Sequence, residues 1–301
     1  MGLIALLSML VACDTLPFKK EQIVPGHLVM ERMKLPAQFK NADGSSYKAN
    51  LDAIVIRPDD DQTHPMVTIT HEYDPIDANS IFPEKLEDPA MEFARRGWVV
   101  VAFTRRGYGM SDGPFVEGYK ACNGAAIVQT GRVSAADISE VIRLMAQKPY
   151  VDASKVISVG FSRGGYASIV LSAEPPPGLV AAISFSGGLS SDRACLNNGL
   201  VEAVATFGKD ARIPTLWIYT ENDRLISPEW GKQWYTAYTR AGGNAEFIVT
   251  PSFENNGHGL FRYGVRIWTP YVDAFLQNHG LKQMDGLMSK VNVRVINDDD
   301  W

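Results

Sequence analysis

The sequence of 301 residues is poor in the residue types that bind metals and nucleic acids. It has three cysteines and five histidines, with no cysteine pair at the spacing of a zinc site. Its net charge is −5 and its basic residues are dispersed, which argues against a nucleic-acid-binding surface. It also lacks a glycine-rich loop that would cradle phosphates. We therefore expect no metal, no cofactor and no nucleic acid among its ligands.

Long apolar runs are also missing. The N-terminal run, MGLIALLSMLVAC at residues 1–13, is well short of the roughly 20 residues that a membrane-spanning helix needs. It resembles a bacterial lipoprotein signal in which Cys13 is lipidated, although the positively charged start of such signals is absent. An ordinary short signal peptide and a buried first helix are the alternatives. We expect an exported protein, either periplasmic or anchored to a membrane by a lipid on Cys13.

Two cysteines are left once Cys13 is assigned to processing. In an exported protein, Cys122 and Cys195 are compatible with one disulfide. Both follow predicted strands, and loops at the same end of a parallel sheet can meet. The sequence leaves open whether the two cysteines form a disulfide or stay as free thiols, because their geometry is not readable from spacing.

Strand and helix patterns alternate along the chain. Residues 29–35 and 49–58 alternate apolar and polar side chains as antiparallel strands do, whereas continuous apolar runs predict buried strands. The buried strands are predicted at 66–71, 98–104, 155–161, 179–186, 214–220 and 245–251, and helices at 84–97, 134–149, 231–243 and 265–280. Ser134 is the expected N-cap of the second helix. The alternation predicts an α/β fold with a mostly parallel sheet covered by helices on both faces.

The chain shows no internal repeat and no composition shift that would divide it. We expect one domain at 23–280, preceded by an export segment and linker at 1–22 and followed by a C-terminal tail at 281–301. The acidic residues 298–300 suit a solvated tail.

A serine stands between glycines in VGFSRGG, residues 159–165, where a predicted strand gives way to a helix. The pattern Gly160-x-Ser162-x-Gly164 fits the nucleophile motif G-x-S-x-G, in which glycines let strand and helix approach closely. The backbone N–H of Arg163, at the helix start, would face the same space and stabilise an oxyanion. The motif alone is weak, and its strand-to-helix context strengthens it.

A serine hydroxyl becomes nucleophilic only when a histidine takes its proton and a carboxylate orients that histidine. Asp223 follows the predicted strand 214–220, with Glu221 as the rival acid, and His258 lies between two glycines after the strand 245–251. Each of these residues taken singly also fits a turn or a surface loop. Together they come in the order nucleophile, acid, base, each at the end of a predicted strand.

These residues resemble the α/β-hydrolase superfamily, closest to its dienelactone-hydrolase-like and prolyl-oligopeptidase-like branches. The resemblance covers about residues 45–280, and GFSRGG, TENDRLISPE and GHGLF carry it. It implies a serine hydrolase with Ser162 as nucleophile, His258 as base and Asp223 as the orienting acid.

The resemblance also implies a second oxyanion donor after the third strand, where the sequence reads His71-Glu72-Tyr73. Glu72 replaces the glycine that the family has there. We expect the N–H of Tyr73 as the donor, with its hydroxyl as a further candidate, and His71 in a structural role. HEYDP is not a zinc motif, because Pro75 stands where H-E-x-x-H requires histidine.

The segment RRGYGMSDG, residues 105–113, resembles the loop that borders the pocket in this family. Glu72, Arg105 and Arg106 are candidate substrate-binding residues. Together with Arg163, the two loop arginines would favour a carboxylate-bearing or electron-rich carbonyl substrate. The alternative is that the arginines hold the loops by pairing with nearby carboxylates, those of Glu72, Asp112 or Asp137.

Residues 187–213 are too few for a large helical lid, which favours small or extended soluble substrates. A carboxylic ester, cleaved through an acyl-enzyme, is the expected substrate, because amide cleavage demands more assistance to the leaving group than this sequence shows. A dipeptidyl-type or acylaminoacyl-type serine peptidase is the enzymatic alternative. The non-enzymatic alternative is a binding protein that has a hydrolase fold but no catalytic activity.

Overall fold

A computed structural model describes residues 23–41, 43–118, 121–189, 194–281 and 287–296. Nine strands form one sheet in this part of the chain. They are β1 (Ile23–Lys40), β2 (Ser46–Pro58), β3 (His64–Thr70), β4 (Val99–Phe103), β5 (Val151–Phe161), β6 (Leu179–Phe185), β7 (Thr215–Thr220), β8 (Ala245–Thr250) and β9 (Leu287–Ile296). The helices are α1 (Glu87–Ala94), α2 (Gly124–Met145), α3 (Arg163–Leu171), α4 (Ala194–Asp210), α5 (Pro228–Arg240), α6 (Leu260–Tyr263) and α7 (Val265–Asn278).

The strand order across the sheet is β8-β7-β6-β5-β3-β4-β2-β1-β9. Strands β3 to β8 run parallel, whereas β2 is antiparallel to both of its neighbours, β4 and β1. The predicted α/β fold with a mostly parallel sheet is therefore confirmed. In such a sheet, ligands bind beyond the carboxyl ends of the strands.

Helices cover both faces of the sheet, and strand β4 shows how. All five of its residues are buried. Val99, Val101 and Phe103 join the core beneath α2 to α5, while Val100 and Ala102 join the core beneath α1 and α7. Because successive side chains of a strand point to opposite faces, a strand covered on both sides reads as the continuous apolar run VVVAF.

Helix α2 begins ten residues earlier than expected. Its N-cap is Asn123, whose side chain accepts a hydrogen bond from the Ala126 N–H, so the prediction of Ser134 as N-cap is wrong. Ser134 is buried inside the helix, and its hydroxyl donates to the Thr130 carbonyl. Glycine at 131 lowers the helix propensity of this segment. Close packing requires it, because an added Cβ would lie 2.7 Å from Val170 and 2.8 Å from Tyr166.

The C-terminal tail predicted at 281–301 contains a strand, so this prediction is wrong for part of its range. Residues 287–296 form β9, which pairs in parallel with β1 at the edge of the sheet. The Met288 N–H donates to the Arg95 carbonyl, and Arg294 forms an ion pair with Asp59. Because β9 pairs with a strand some 260 residues away in sequence, no local pattern in residues 287–296 predicts it.

Within residues 187–213, residues Ala194–Asp210 form α4, which packs into the core. Its residues Leu200, Ala203, Val204 and Phe207 are buried with α2 and α5. Helix α4 therefore contributes to the core of the domain.

Cys122 is engaged in a disulfide. Gly199 in α4 lies against the Cys122 backbone, since an added Cβ would meet its carbonyl oxygen at 2.5 Å, and Cys195 is one helical turn earlier. The side chain of Cys195 lies outside the described residues, so its pairing with Cys122 stays a prediction. Cys13 and the export segment also lie outside them. In the described part of the chain, no helix has the length and apolarity to cross a bilayer.

Candidate active site

Ser162 occupies a strained turn between β5 and α3. Its backbone has φ 55° and ψ −117°, a conformation that residues other than glycine rarely adopt. Such a backbone is typical of a nucleophile on a sharp strand-to-helix turn. The turn is held by its own backbone: the Ser162 N–H donates to the Phe185 carbonyl, and the Ser162 carbonyl accepts from Tyr166 and Gly188. Ser162 thus has the backbone geometry that the G-x-S-x-G motif predicts.

The flanking glycines are required by close backbone contacts. A Cβ on Gly160 would lie 2.0 Å from the Gly164 carbonyl oxygen. A Cβ on Gly164 would lie 2.6 Å from the carbonyl oxygens of both Thr70 and His71. The Gly164 N–H donates to the His71 carbonyl at 3.1 Å, which ties the start of α3 to the end of β3.

His258 and Asp223 meet at the carboxyl edge of the sheet. His258 lies in a short 3-10 turn after β8, and its Nδ1 is 2.9 and 3.1 Å from the two carboxylate oxygens of Asp223, which follows β7. Asp223 also accepts from the N–H groups of Leu225 and Ile226. Glu221, the rival acid, instead accepts from the backbone and hydroxyl of Ser252. The residue placed to orient His258 is therefore Asp223.

The surroundings of Asp223 keep it ionised. Burial acts to raise the pKa of its carboxyl, but the hydrogen bond and charge of His258, with bonds from Ile226 and Ser186, hold that pKa below its usual range. An ionised carboxylate on Nδ1 fixes the ring orientation and leaves Nε2 as the nitrogen that can take a proton.

The His258 ring faces the nucleophile's turn. It packs against the ring of Phe161, the residue before Ser162, at a centroid distance of 4.8 Å. Ser162, Asp223 and His258 are each less than a tenth exposed. The three predicted residues are thus buried at the carboxyl edge of the sheet, with His258 bonded to Asp223 and packed on Phe161, the residue that precedes Ser162.

The two expected oxyanion donors, the N–H groups of Arg163 and Tyr73, follow the ends of β5 and β3. The Ser162 carbonyl is held by Tyr166 and Gly188, and a trans peptide directs its N–H opposite to its C=O, so the Arg163 N–H points away from α3 at the helix start. Tyr73 follows the end of β3, which Gly164 bonds to α3. The guanidinium of Arg163 lies over the Tyr73 ring at 4.6 Å.

His71 is structural, as expected. It is buried; its Nε2 accepts from the Arg105 N–H at 3.0 Å and its Nδ1 donates to the Glu72 carbonyl at 2.6 Å. Burial and the nearby charge of Arg105 lower the pKa of His71 well below its usual range, so the ring is neutral.

The candidate substrate-binding residues are all in ion pairs. Arg105 pairs with Glu117, and Arg106 pairs with Asp137, in both cases with almost no exposed surface. Glu72 pairs with Arg262 of α6. These contacts favour the alternative in which the arginines hold the loops, and Asp137 is one of the partners that the sequence suggested.

Glu117 and Arg262 are the residues that sequence reasoning missed. Although burial opposes its ionisation, the charge and hydrogen bonds of Arg105 lower the pKa of Glu117 to about 2. Arg262 lies over the Phe161 ring at 5.5 Å and follows His258 by one helical turn. Neither residue lies in a motif, and only the fold brings each to its partner.

Comparison with known proteins places the chain in a family. Residues 43–250 match the model of the X-Pro dipeptidyl-peptidase (S15 family). Comparison with curated protein sequences finds no significant match.

Solved structures share the fold at low sequence identity. A putative dienelactone hydrolase from Klebsiella pneumoniae is 18% identical, with a TM-score of 0.56, over 84% of this chain and 98% of that one. An esterase from Pyrococcus furiosus is 17% identical, with a TM-score of 0.57, over 83% and 91%. A putative dipeptidyl aminopeptidase IV from Bacteroides ovatus is 14% identical, with a TM-score of 0.55, over 79% and 36%.

The family match spans Ser162 and Asp223 and ends before His258, which follows β8 in the structure. The chain is a serine hydrolase with an α/β-hydrolase fold and belongs to the X-Pro dipeptidyl-peptidase (S15) family.

Proposed function

We propose that this serine hydrolase cleaves carboxylic esters, with Ser162 as nucleophile, His258 as general base and acid, and Asp223 as the orienting acid. The observation that carries the proposal is the bond of His258 Nδ1 to Asp223 at 2.9 Å, with the His258 ring packed on Phe161, which precedes a serine held in a strained turn. A serine so placed needs only a carbonyl carbon within reach to react.

The reaction has two halves. Ser162 Oγ attacks the ester carbonyl as His258 Nε2 takes its proton, and the N–H groups of Arg163 and Tyr73 donate to the oxygen that becomes negative. The tetrahedral intermediate then collapses, and His258 returns the proton to the departing alcohol. In the second half, His258 takes a proton from water, and the water oxygen attacks the acyl carbonyl. The new tetrahedral intermediate collapses, His258 returns the proton to Ser162 Oγ, and the carboxylic acid is released.

Two observations favour an ester over a peptide. A peptidase that reads a free amino terminus needs carboxylates directed at that ammonium group. Glu72, the acidic side chain next to Tyr73, is committed to Arg262, and Glu221 is committed to Ser252. Esterases are also among the structural neighbours, including one from Thermogutta terrifontis.

A dipeptidyl-type peptidase is the second candidate, and the family match favours it. Hydrolysis of short-chain and long-chain p-nitrophenyl esters should be compared with hydrolysis of X-Pro-p-nitroanilides, with Ser162→Ala as the control. We expect ester turnover that is lost in the Ser162→Ala variant. Serine-dependent cleavage of the anilides without ester turnover would establish the peptidase instead, and no turnover with no labelling would leave a binding protein.

We also propose that the protein is exported, and that Cys13 is lipidated in its host. The disulfide at Cys122 supports export, since disulfides persist in oxidising compartments. The apolar run that ends at Cys13 supports lipidation. Intact mass of the protein from its host membrane, compared with a Cys13→Ser variant, should show the lipid only in the wild type.

A further inference from the structure

Arg105 uses every donor of its guanidinium. Its Nε and Nη2 bind the two carboxylate oxygens of Glu117, and its Nη1 donates to the Thr70 hydroxyl and the His71 carbonyl, both at 2.7 Å. Nη2 also donates to the Glu72 carbonyl at 3.0 Å. These are the five N–H bonds that a guanidinium can make. The side chain is 0% exposed and that of Glu117 is 2% exposed, so this is a fully built, buried charge pair.

Two of those bonds go to the backbone just before Tyr73. Within the described residues no peptide bond is cis, so the Glu72–Tyr73 peptide is trans. In a trans peptide the C=O and N–H groups point in opposite directions. Because Arg105 draws the Glu72 carbonyl into the protein, the Tyr73 N–H is turned away from Arg105. His71 Nδ1 donates to the same carbonyl at 2.6 Å and strengthens that direction.

The same arginine also connects the two halves of the oxyanion site. The His71 carbonyl accepts from Arg105 Nη1 and from the Gly164 N–H, which belongs to the first turn of α3. The end of β3 is therefore held between the guanidinium on one side and the nucleophile's helix on the other. A shift of either would move the Tyr73 N–H relative to the Arg163 N–H.

Glu117 keeps the guanidinium in its place. The Tyr108 hydroxyl donates at 2.8 Å to Glu117 Oε2, the oxygen that also accepts from Arg105 Nη2, which helps to fix the carboxylate. We infer that Arg105, held by Glu117, is a positioning residue that orients the Tyr73 N–H as an oxyanion donor. The inference rests on the proposed function and adds to it a residue that touches no substrate.

Arg105→Lys tests the inference most directly. Lysine keeps the positive charge beside Glu117, but a single ammonium cannot replace the planar fork that binds a carboxylate and two carbonyls together. Since loss of one oxyanion donor costs about 10²–10³-fold in kcat, we expect a misplaced donor to lower kcat about 10–100-fold, with KM within about threefold. The inhibition constant of a trifluoromethyl ketone, whose serine adduct carries an oxyanion, should rise by the same factor as kcat/KM falls.

Arg96→Lys is the matched control. Arg96 is also a buried arginine, paired with Glu92 and Asp273 and bonded to the Glu92 carbonyl, but none of these residues belongs to the site. We expect Arg96→Lys to lower Tm comparably while kcat and inhibitor affinity stay within about twofold of the wild type. The inference is overturned if folded Arg105→Lys keeps kcat within about twofold, or if Arg96→Lys loses as much kcat.

A second variant covers the case in which Arg105→Lys does not fold. Glu117→Gln keeps the shape of the partner but removes its charge, and we expect a kcat loss of about tenfold with little change in KM. Unchanged kcat in folded Glu117→Gln would then overturn the inference.

Failure of the proposed function would look different. If wild-type protein hydrolyses no ester, the rate of fluorophosphonate labelling at Ser162 replaces kcat, because the tetrahedral phosphorus adduct needs the same donors. A tenfold slower labelling of Arg105→Lys than of Arg96→Lys would support the inference while the ester proposal falls. Equal labelling rates in the two variants, or no labelling of wild type, would overturn the inference.

Discussion

We predict that the buried pair of Arg105 and Glu117 contributes to stability in a way that depends on pH. The pKa of Glu117 is lowered to about 2 in the folded protein, compared with its ordinary value of 4.5. A difference of this size corresponds to about 3 kcal/mol of folding free energy. The sign follows from the direction: a depressed carboxyl pKa stabilises the fold above about pH 4.5, and that stabilisation is lost as the pH falls towards 2.

Glu117→Gln removes this contribution. At about pH 6.5 we expect the variant to be about 3 kcal/mol less stable than the wild type, within the range for breaking a buried pair. At about pH 3 the wild type has lost about 2 kcal/mol of the contribution, so the difference should shrink to about 1 kcal/mol. Other carboxyls titrate equally in both proteins and cancel in the comparison.

Urea unfolding at the two pH values, followed by tryptophan fluorescence with the disulfide intact, measures this difference. Buried Trp98, Trp217, Trp234 and Trp268 report on the core. A difference that does not change between the two pH values would refute the reasoning, because it would mean that Glu117 does not titrate differently in the folded and unfolded states. A difference below about 1 kcal/mol at the higher pH would refute it as well.

Three further predictions concern the site. Asp223→Asn should lower kcat about 10³–10⁴-fold and Glu221→Gln less than about twofold, in a steady-state ester assay; the reverse result would assign the acid to Glu221. Tyr73→Phe should keep most of kcat, because the peptide N–H is the donor, and a loss above about tenfold would assign the role to the hydroxyl. Gly164→Ala should lower Tm and abolish turnover, since its Cβ would lie 2.6 Å from carbonyl oxygens at the end of β3, whereas Gly118→Ala has open space and should change neither.

The sequence predicted the parts of the fold that local patterns determine. Apolar runs such as residues 98–104 became buried strands, because a strand covered on both faces needs no polar alternation. The order of Ser162, Asp223 and His258 at strand ends placed them at one sheet edge, because parallel strands all end there.

The missed features depend on contacts between distant segments. The helix pattern of α2 is interrupted by Gly131, where Tyr166 of another helix leaves no space for a side chain. The strand β9 exists because β1 offers an edge to pair with. Glu117 and Arg262 belong to no motif, and their roles follow from the partners that the fold gives them, Arg105 and Glu72.

The central claim is that Ser162 is an activated nucleophile. The most direct measurement is labelling of the wild-type protein with a fluorophosphonate, followed by mass spectrometry of the modified peptide, with His258→Ala as the control. We predict one adduct, on Ser162, and labelling of His258→Ala that is slower by at least about 10³-fold, because the serine loses its base. Absence of an adduct on Ser162 in folded wild-type protein, or equal labelling of His258→Ala, would contradict the account.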